Sequence, residues 1–300
     1  MSLTRWSASW SCATRNKMKD NGKKDIYATC HVCWRQCRIK EGGLGYCRAR
    51  TVKDGVVIPE SYGKLTSLAL DPIEKKPLSF FHPGTMILSA GSYGCNMACP
   101  FCQNYEIAKE AAASRHTIEV GPKALVKKAL ALKDRGNMGI AFTYNEPLVG
   151  YEYIRDTATL ARDAGLLTVV VTNGQIEEEP LRELLPLISA WNIDLKSFSE
   201  DAYKKLGGRL EVTLRTIELA SATAHVEITT LVVPGLSDDE TMIREEAAFL
   251  AAIDPAMPLH LSRYFPCYEY HAPATAIQTM YRLQAVAKES LERVVLGNIH

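Results

Sequence analysis

Seven of the nine cysteines in this 300-residue chain fall into two short groups whose spacing could hold metal. One group is Gly94-Cys95-Asn96-Met97-Ala98-Cys99-Pro100-Phe101-Cys102, a C-x3-C-x2-C loop with an aromatic residue before its third cysteine. A [4Fe–4S] cube is ordinarily held by four thiolates. A loop offering three leaves one iron without a protein ligand, and an open metal position can act on a bound molecule. The competing readings are a zinc knuckle completed by a distant ligand and three unrelated buried thiols. Gly91, Gly94 and Pro100 suit a backbone that wraps closely around a cube. Phe101 either packs on the cluster or a neighbouring ligand, or is simply core.

The other group is Cys30-His31-Val32-Cys33 with Cys37 and Cys47. It fits a zinc site or an auxiliary Fe–S cluster, and spacing does not separate the two. Four thiolates on one metal centre would add folding energy to a segment too short for its own core. A set of reduced thiols is the third reading.

Further along, Thr143-Tyr144-Asn145-Glu146-Pro147 places a carboxylate that can hold an amino group, or that acts as an ordinary helix N-terminal acid. Val171-Thr172-Asn173-Gly174 closes an apolar run, although Asn-Gly is also a plain turn signal. In Ile193-Asp194-Leu195-Lys196, strand alternation puts Asp194 and Lys196 on one face. They suit a ligand bearing hydroxyls and a carboxylate, or they pair with each other. His260 is a ligand candidate weighed against a core role. Arg263 and Cys267 are the catalytic candidates, with a free loop thiol as the alternative for Cys267.

These residues need elements to position them. Short apolar, β-rich runs recur at 86–90, 139–143, 167–172, 191–195, 225–233 and 259–263, with a final one at 293–297. Amphipathic helical patterns at 123–133, 151–164, 181–188, 210–222, 239–252 and 275–289 lie among them. Alternation of this kind predicts βαβ units, an α/β fold with a parallel sheet covered by helices. Cys95, Glu146, Thr172, Asp194 and Arg263 all sit at or just after the ends of such runs, the edge where parallel α/β folds bind ligands. The sequence divides into a basic, flexible arm (1–25), a turn-rich cysteine module (26–78) and the large α/β domain (79–300). Gly42-Gly43 and Asp54-Gly55 punctuate the module, and 71–77 reads as an ordered connector.

A hydrophobic content of 47% with 23% charged residues permits a sizeable core in a soluble protein. No apolar run approaches the roughly 18 residues of a spanning helix, so no membrane is expected. The first 25 residues lack the continuous apolar stretch of a secretory signal. Cysteine-rich chains without such a signal use thiolate chemistry in a reducing compartment, here the cytoplasm. The net charge of +1 conceals an asymmetry: residues 1–53 carry 12 Lys and Arg against 3 Asp and Glu, and the rest carries 23 against 31. A basic arm could steer an acidic protein or a nucleic acid, or be a solvated terminus.

Taken together, the motifs resemble the radical S-adenosylmethionine (SAM) superfamily. The resemblance covers about residues 30–298 and lies nearest the pyruvate formate-lyase activating enzymes and the radical SAM members of the AmmeMemoRadiSam system. It rests on the N-terminal cysteine module, Gly63-Lys64, the 70–78 segment Leu-Asp-Pro-Ile-Glu-Lys-Lys-Pro-Leu, and the three-cysteine loop with Gln103-Asn104. Tyr144-Asn145-Glu146-Pro147, Val171-Thr172-Asn173-Gly174 and Asp194-Leu195-Lys196 complete it. The resemblance implies a partial (β/α)6 barrel and a [4Fe–4S] cluster on Cys95, Cys99 and Cys102 that reductively cleaves SAM to a 5′-deoxyadenosyl radical. Glu146 matches the position contacting the SAM amino group, and Thr172, Asp194 and Lys196 match positions near its carboxylate and ribose. A flavodoxin or ferredoxin electron donor and a protein or peptide substrate follow, as for a glycyl-radical activase. The alternatives are radical SAM modification of RNA or another anionic substrate, and a non-catalytic Fe–S or metal-binding protein. Three departures stand against the activase pattern: Val171 replaces the usual Asp, no ferredoxin-type cysteines fall between 103 and 266, and the C-terminal cysteine pair of many relatives is not reached.

Overall fold

The computed structural model describes residues 26–109 and 116–299, so the expected basic arm lies outside the described residues. The chain opens with two antiparallel pairs, β1 (Tyr27–Thr29) with β2 (Arg38–Lys40) and β3 (Arg50–Lys53) with β4 (Val56–Pro59). Asp54 and Gly55 join the second pair with φ of 54° and 76°. Positive φ at both central residues is the tight hairpin turn that Asp-Gly favours. β5 (Lys64–Leu65) pairs with β8 (Ile118–Glu119).

The main sheet has eight strands. β6 (Ser67–Pro72) runs antiparallel to β7 (Met86–Gly91) at one edge. Parallel strands then follow in chain order: β9 (Asn137–Phe142), β10 (Leu167–Thr172), β11 (Ala190–Asp194), β12 (His225–Val232), β13 (Leu259–Arg263) and β14 (Val294–Gly297). The order from β7 to β14 never reverses, unlike that of a doubly wound sheet. The parallel strands expected from sequence are all present, within two residues of their predicted bounds. The sequence pattern gave no signal for β6, which supplies an antiparallel edge where only a connector was expected.

Helices α1 (Tyr105–Lys109), α2 (Pro122–Leu130), α3 (Tyr151–Asp163), α4 (Glu178–Leu184), α5 (Glu200–Lys205), α6 (Leu210–Ser221), α7 (Glu240–Ile253) and α8 (Ile277–Ala287) fill the connections. Alternation along β11 shows how the sheet's two faces differ. Trp191 and Ile193 join the large core shared with the helices, and Ala190 joins a smaller apolar group with Ile73, Ile87, Ala141 and Val169. Further along the Ala190 face, Asn192 donates to Pro77 O at 2.9 Å and Asp194 ends the strand. One face therefore becomes polar toward the strand ends. Among the described residues no helix is long and apolar enough to cross a membrane.

Candidate functional site

Beyond β7 the chain enters the three-cysteine loop, which is pinned by backbone on several sides. Gly94 N donates to Ile107 O (2.9 Å), and Gly94 O accepts from Glu146 N (3.1 Å). Ala98 N donates to Leu206 O (2.7 Å), Arg35 Nε to Asn96 O (2.7 Å), and Lys109 Nζ to Met97 O (2.6 Å). Gly94 is required here: its φ is +91°, and a Cβ would stand 2.4 Å from Cys47 O.

The thiols carry the marks of ligands. Cys95 Sγ accepts from Met97 N (3.4 Å) and from Asn173 Nδ2 (3.7 Å). Donors of this kind tune the sulfurs of an iron–sulfur centre. Burial raises the Cys95 thiol pKa, and Glu146 and Cys99 raise it further. Burial also raises Cys99, opposed by the Lys196 and Lys109 ammonium groups. Cationic groups near buried thiols are what a site loaded with thiolates needs. A wide open cleft, walled partly by Cys95, Met97, Tyr105 and Tyr268, gives access to this loop.

Glu146 is 3% exposed and lies at the end of β9, and its carboxylate is gripped from the end of β10. Oε1 accepts from Thr172 Oγ1 (2.6 Å) and Leu148 N (3.0 Å), and Oε2 accepts from Asn173 N (2.8 Å). Three donors leave a carboxylate with capacity for one more. Burial nevertheless pushes its pKa up to about 7, and Asp194 adds to the shift against those donors. At the end of β11, Lys196 Nζ meets Asp194 Oδ2 at 2.7 Å. The pairing anticipated as their alternative role is therefore present, and both remain within electrostatic reach of Cys99.

Sequence reasoning missed the residues that hold these groups in place. Asn96 Oδ1 accepts from Asn173 Nδ2 (3.0 Å), and Asn96 Nδ2 donates to Gln175 O (2.7 Å). Thr213 Oγ1 of α6 donates to Asn173 O (3.0 Å), and Asn145 Oδ1 accepts from Ser92 N (3.0 Å). Scattered asparagines at loop positions were a partial trace of them in the sequence, and Thr213, inside α6, left none.

Four candidates sit differently from this set. Phe101 is buried in the main core with Cys99, edge-on to Tyr270 at 6.2 Å, a place that both of its readings allow. Cys267 is close to the loop, its Sγ donating to Cys102 O at 3.7 Å. Arg263 is not joined to the Glu146 network: its Nε donates to Thr275 O (2.7 Å) and its guanidinium lies over Phe265. His260 also stands outside that network, because its Nε2 meets Glu227 Oε2 at 2.6 Å. The same carboxylate accepts from Ser79 N and Phe80 N, so this cluster anchors the connector across the sheet.

Comparison with known proteins agrees with this geometry. A model of the radical SAM superfamily matches residues 90–246, from the end of β7 into α7. An uncharacterized protein of Methanocaldococcus jannaschii is 40% identical over 287 residues, spanning 92% of this chain and 82% of its own length. A pyruvate formate-lyase-activating enzyme of Clostridium pasteurianum is 27% identical over 178 residues, 57% of this chain and 72% of that one. The structure of Streptococcus suis SuiB bound to S-adenosylmethionine shares the fold, with a TM-score of 0.54 at 15% identity over 68% of this chain and 48% of that one. The family match covers the strand ends that carry Cys95, Glu146, Thr172 and Asp194, and this chain belongs to the radical SAM superfamily, with relatives among the pyruvate formate-lyase-activating enzymes.

Proposed function

We propose that this enzyme binds a [4Fe–4S] cluster on Cys95, Cys99 and Cys102 and uses it to cleave SAM reductively, with hydrogen abstraction from a protein or peptide substrate. The carrying observation is the convergence of three buried or half-buried thiols with Glu146, Thr172, Asn173, Asp194 and Lys196 at consecutive strand ends. Family membership supplies the cluster and SAM, and the donor set fits them: sulfurs with N–H partners, and nearby lysines.

Held by Cys95, Cys99 and Cys102, a reduced cluster would supply the one electron that cleavage of SAM and hydrogen abstraction from the substrate require. The protein's part is to bind and orient. The one open acceptor position of Glu146 suits the amino group of SAM, and Thr172 and Asn173 hold that carboxylate in place. Asp194 and Lys196 would meet the ribose hydroxyls and the ligand carboxylate, exchanging part of their mutual pairing for those contacts. The monotonic strand order supports a partial barrel, to which β6 of the 26–78 segment adds an edge strand, with the cysteine-bearing hairpins that precede it as a small module. The reducing electron comes from a flavodoxin- or ferredoxin-type donor.

A protein or peptide substrate is favoured over RNA by the likeness to a pyruvate formate-lyase-activating enzyme. Among the basic residues of the module, Arg50 is buried against Glu152 and Arg35 is bound to loop carbonyls, so neither is free to meet phosphate. The test is anaerobic incubation of reconstituted protein with SAM and dithionite. We expect 5′-deoxyadenosine and methionine, and neither from Cys99→Ala. A cluster-loaded wild type that forms no 5′-deoxyadenosine refutes this reading.

A further inference from the structure

The N-terminal module carries its four cysteines on separate stretches of backbone. Cys30 follows β1, Cys33 lies in the turn, Cys37 precedes β2, and Cys47 sits in the loop leading to β3. Cys30 N donates to Cys37 O (2.9 Å) and Gln36 N to Cys33 O (3.1 Å), closing the turn. Cys30, Cys33 and Cys47 are buried and Cys37 is half-buried. All four line one cavity, together with Arg50 and Asn96.

Arg50 leaves one buried donor at this cavity without an acceptor. It is 4% exposed, and its terminal nitrogens are taken by Glu152 (2.7 and 2.9 Å) and Val149 O (3.0 Å). Its Nε is buried with no partner. A buried N–H without an acceptor is costly, and a metal-bound sulfur at the cavity wall is an acceptor of the right kind.

Sulfur spacing selects the occupant. A tetrahedral zinc ion holds each sulfur about 2.3 Å away, which brings the four within about 4 Å of one another. Among the described residues, no three His, Cys, Asp or Glu side chains come together closely enough to hold a single metal ion. The four thiols share the lining of one cavity without converging on a single-ion site, which suits a multi-iron cluster better than one zinc ion. The 95–102 loop likewise gathers no single-ion site.

We propose that Cys30, Cys33, Cys37 and Cys47 bind a second [4Fe–4S] cluster, with a protein ligand on every iron and hence no position open to substrate. The Arg50 guanidinium lies against it and donates from Nε to a cluster sulfur. The site stands independently of SAM cleavage, and its test does not use that activity.

The experiment is anaerobic reconstitution of the full chain with iron and sulfide, followed by metal analysis and Mössbauer spectroscopy. A variant with Cys95, Cys99 and Cys102 all replaced by Ala keeps about four iron and four sulfide per chain and absorbance near ~400 nm, with no zinc. Adding Cys33→Ser to that variant removes the iron. One zinc per chain, or iron near background, in a triple variant with wild-type circular dichroism overturns the proposal. So does iron that persists in the quadruple variant. Should the triple variant fail to fold, the wild type decides: about eight iron supports the second cluster, and about four, with or without zinc, refutes it.

Discussion

Beside Cys95, Cys99 and Cys102 stand Glu146, Asp194 and Lys196, and a cleft opens alongside; beside Cys30, Cys33, Cys37 and Cys47 stand Val32, Ile39, Val149 and a guanidinium already paired with Glu152. The ligand set is thiol in both places, and the surroundings differ. The first group lies at strand ends, where successive loops each deliver one polar side chain to a shared space. The second is enclosed by short hairpins with aliphatic side chains, and its polar neighbours Arg35, Arg50 and Asn96 are largely engaged with other parts of the chain. A thiolate site can thus be arranged to react or to remain closed, according to what the fold brings beside it. The two are also joined. Cys47 O packs against Gly94, Asn96 lines the N-terminal cavity, and Arg35 grips the loop through Asn96 O.

The largest expected effect comes from breaking the weld between the regions. Arg50 of β3 and Glu152 of α3 form a buried bidentate pair, 4% and 3% exposed. Glu152→Ala leaves the guanidinium buried and uncompensated, a loss of about 3–5 kcal/mol. Chemical denaturation of the reconstituted protein should show this loss, with iron released from both regions in a single transition. Two separate transitions would mean that the sites are independent, contrary to the contacts above.

Gly94→Ala acts on the seam itself. The new methyl would meet Cys47 O at 2.4 Å and Ala49 Cβ at 2.7 Å, on a backbone with φ of +91°. We expect destabilisation on the order of 3 kcal/mol, from backbone strain together with a clash that neither loop can easily relieve. Iron content should fall more at the 95–102 loop than in the module, because strain at residue 94 falls directly on Cys95. A variant with the wild-type denaturation midpoint would show that the two loops part readily.

The sequence carried the skeleton of this arrangement and little of its bracing. Parallel strands were legible because buried on both faces they become short apolar runs, and their ends marked the polar residues that converge. The Asp54-Gly55 hairpin was legible because few dipeptides accept two positive φ values. By contrast β6, which ends in Asp71-Pro72, has no clear two-residue alternation, and α5 is only six residues long. The Arg50–Glu152 pair joins residues 102 positions apart, and the Glu227–His260 pair joins residues 33 apart. Such partnerships depend on how elements stack, and local pattern contains no record of it. His260 shows the consequence: its type left ligand and core roles open, and no local pattern announced its pairing with Glu227 on β12.

The smallest effect discriminates most sharply between the regions, since it turns on Glu146, the carboxyl beside the 95–102 loop that is proposed to meet the ligand. Burial holds the Glu146 carboxyl at about 7, well above the ordinary carboxylate range, with Asp194 pushing the same way and the Cys95 thiol also within its reach. Accepting a hydrogen bond from the SAM amino group requires the ionised carboxylate. Below about pH 7 Glu146 must therefore release a proton when ligand binds, and SAM affinity rises with pH until the carboxylate is ionised in the free protein. Glu146→Gln removes that proton from the linkage. Calorimetry on anaerobically reconstituted protein should show the pH slope of log affinity shallower in the variant by up to one proton below pH 7. At pH 8 the variant should bind about tenfold more weakly, a loss of about 1.4 kcal/mol. Asp194→Asn should move the step to lower pH without abolishing it, because it removes a neighbouring charge and leaves the acceptor in place. Equal slopes in wild type and Glu146→Gln would remove Glu146 from the ligand's reach, and with it the strongest chemical distinction between the two groups of cysteines.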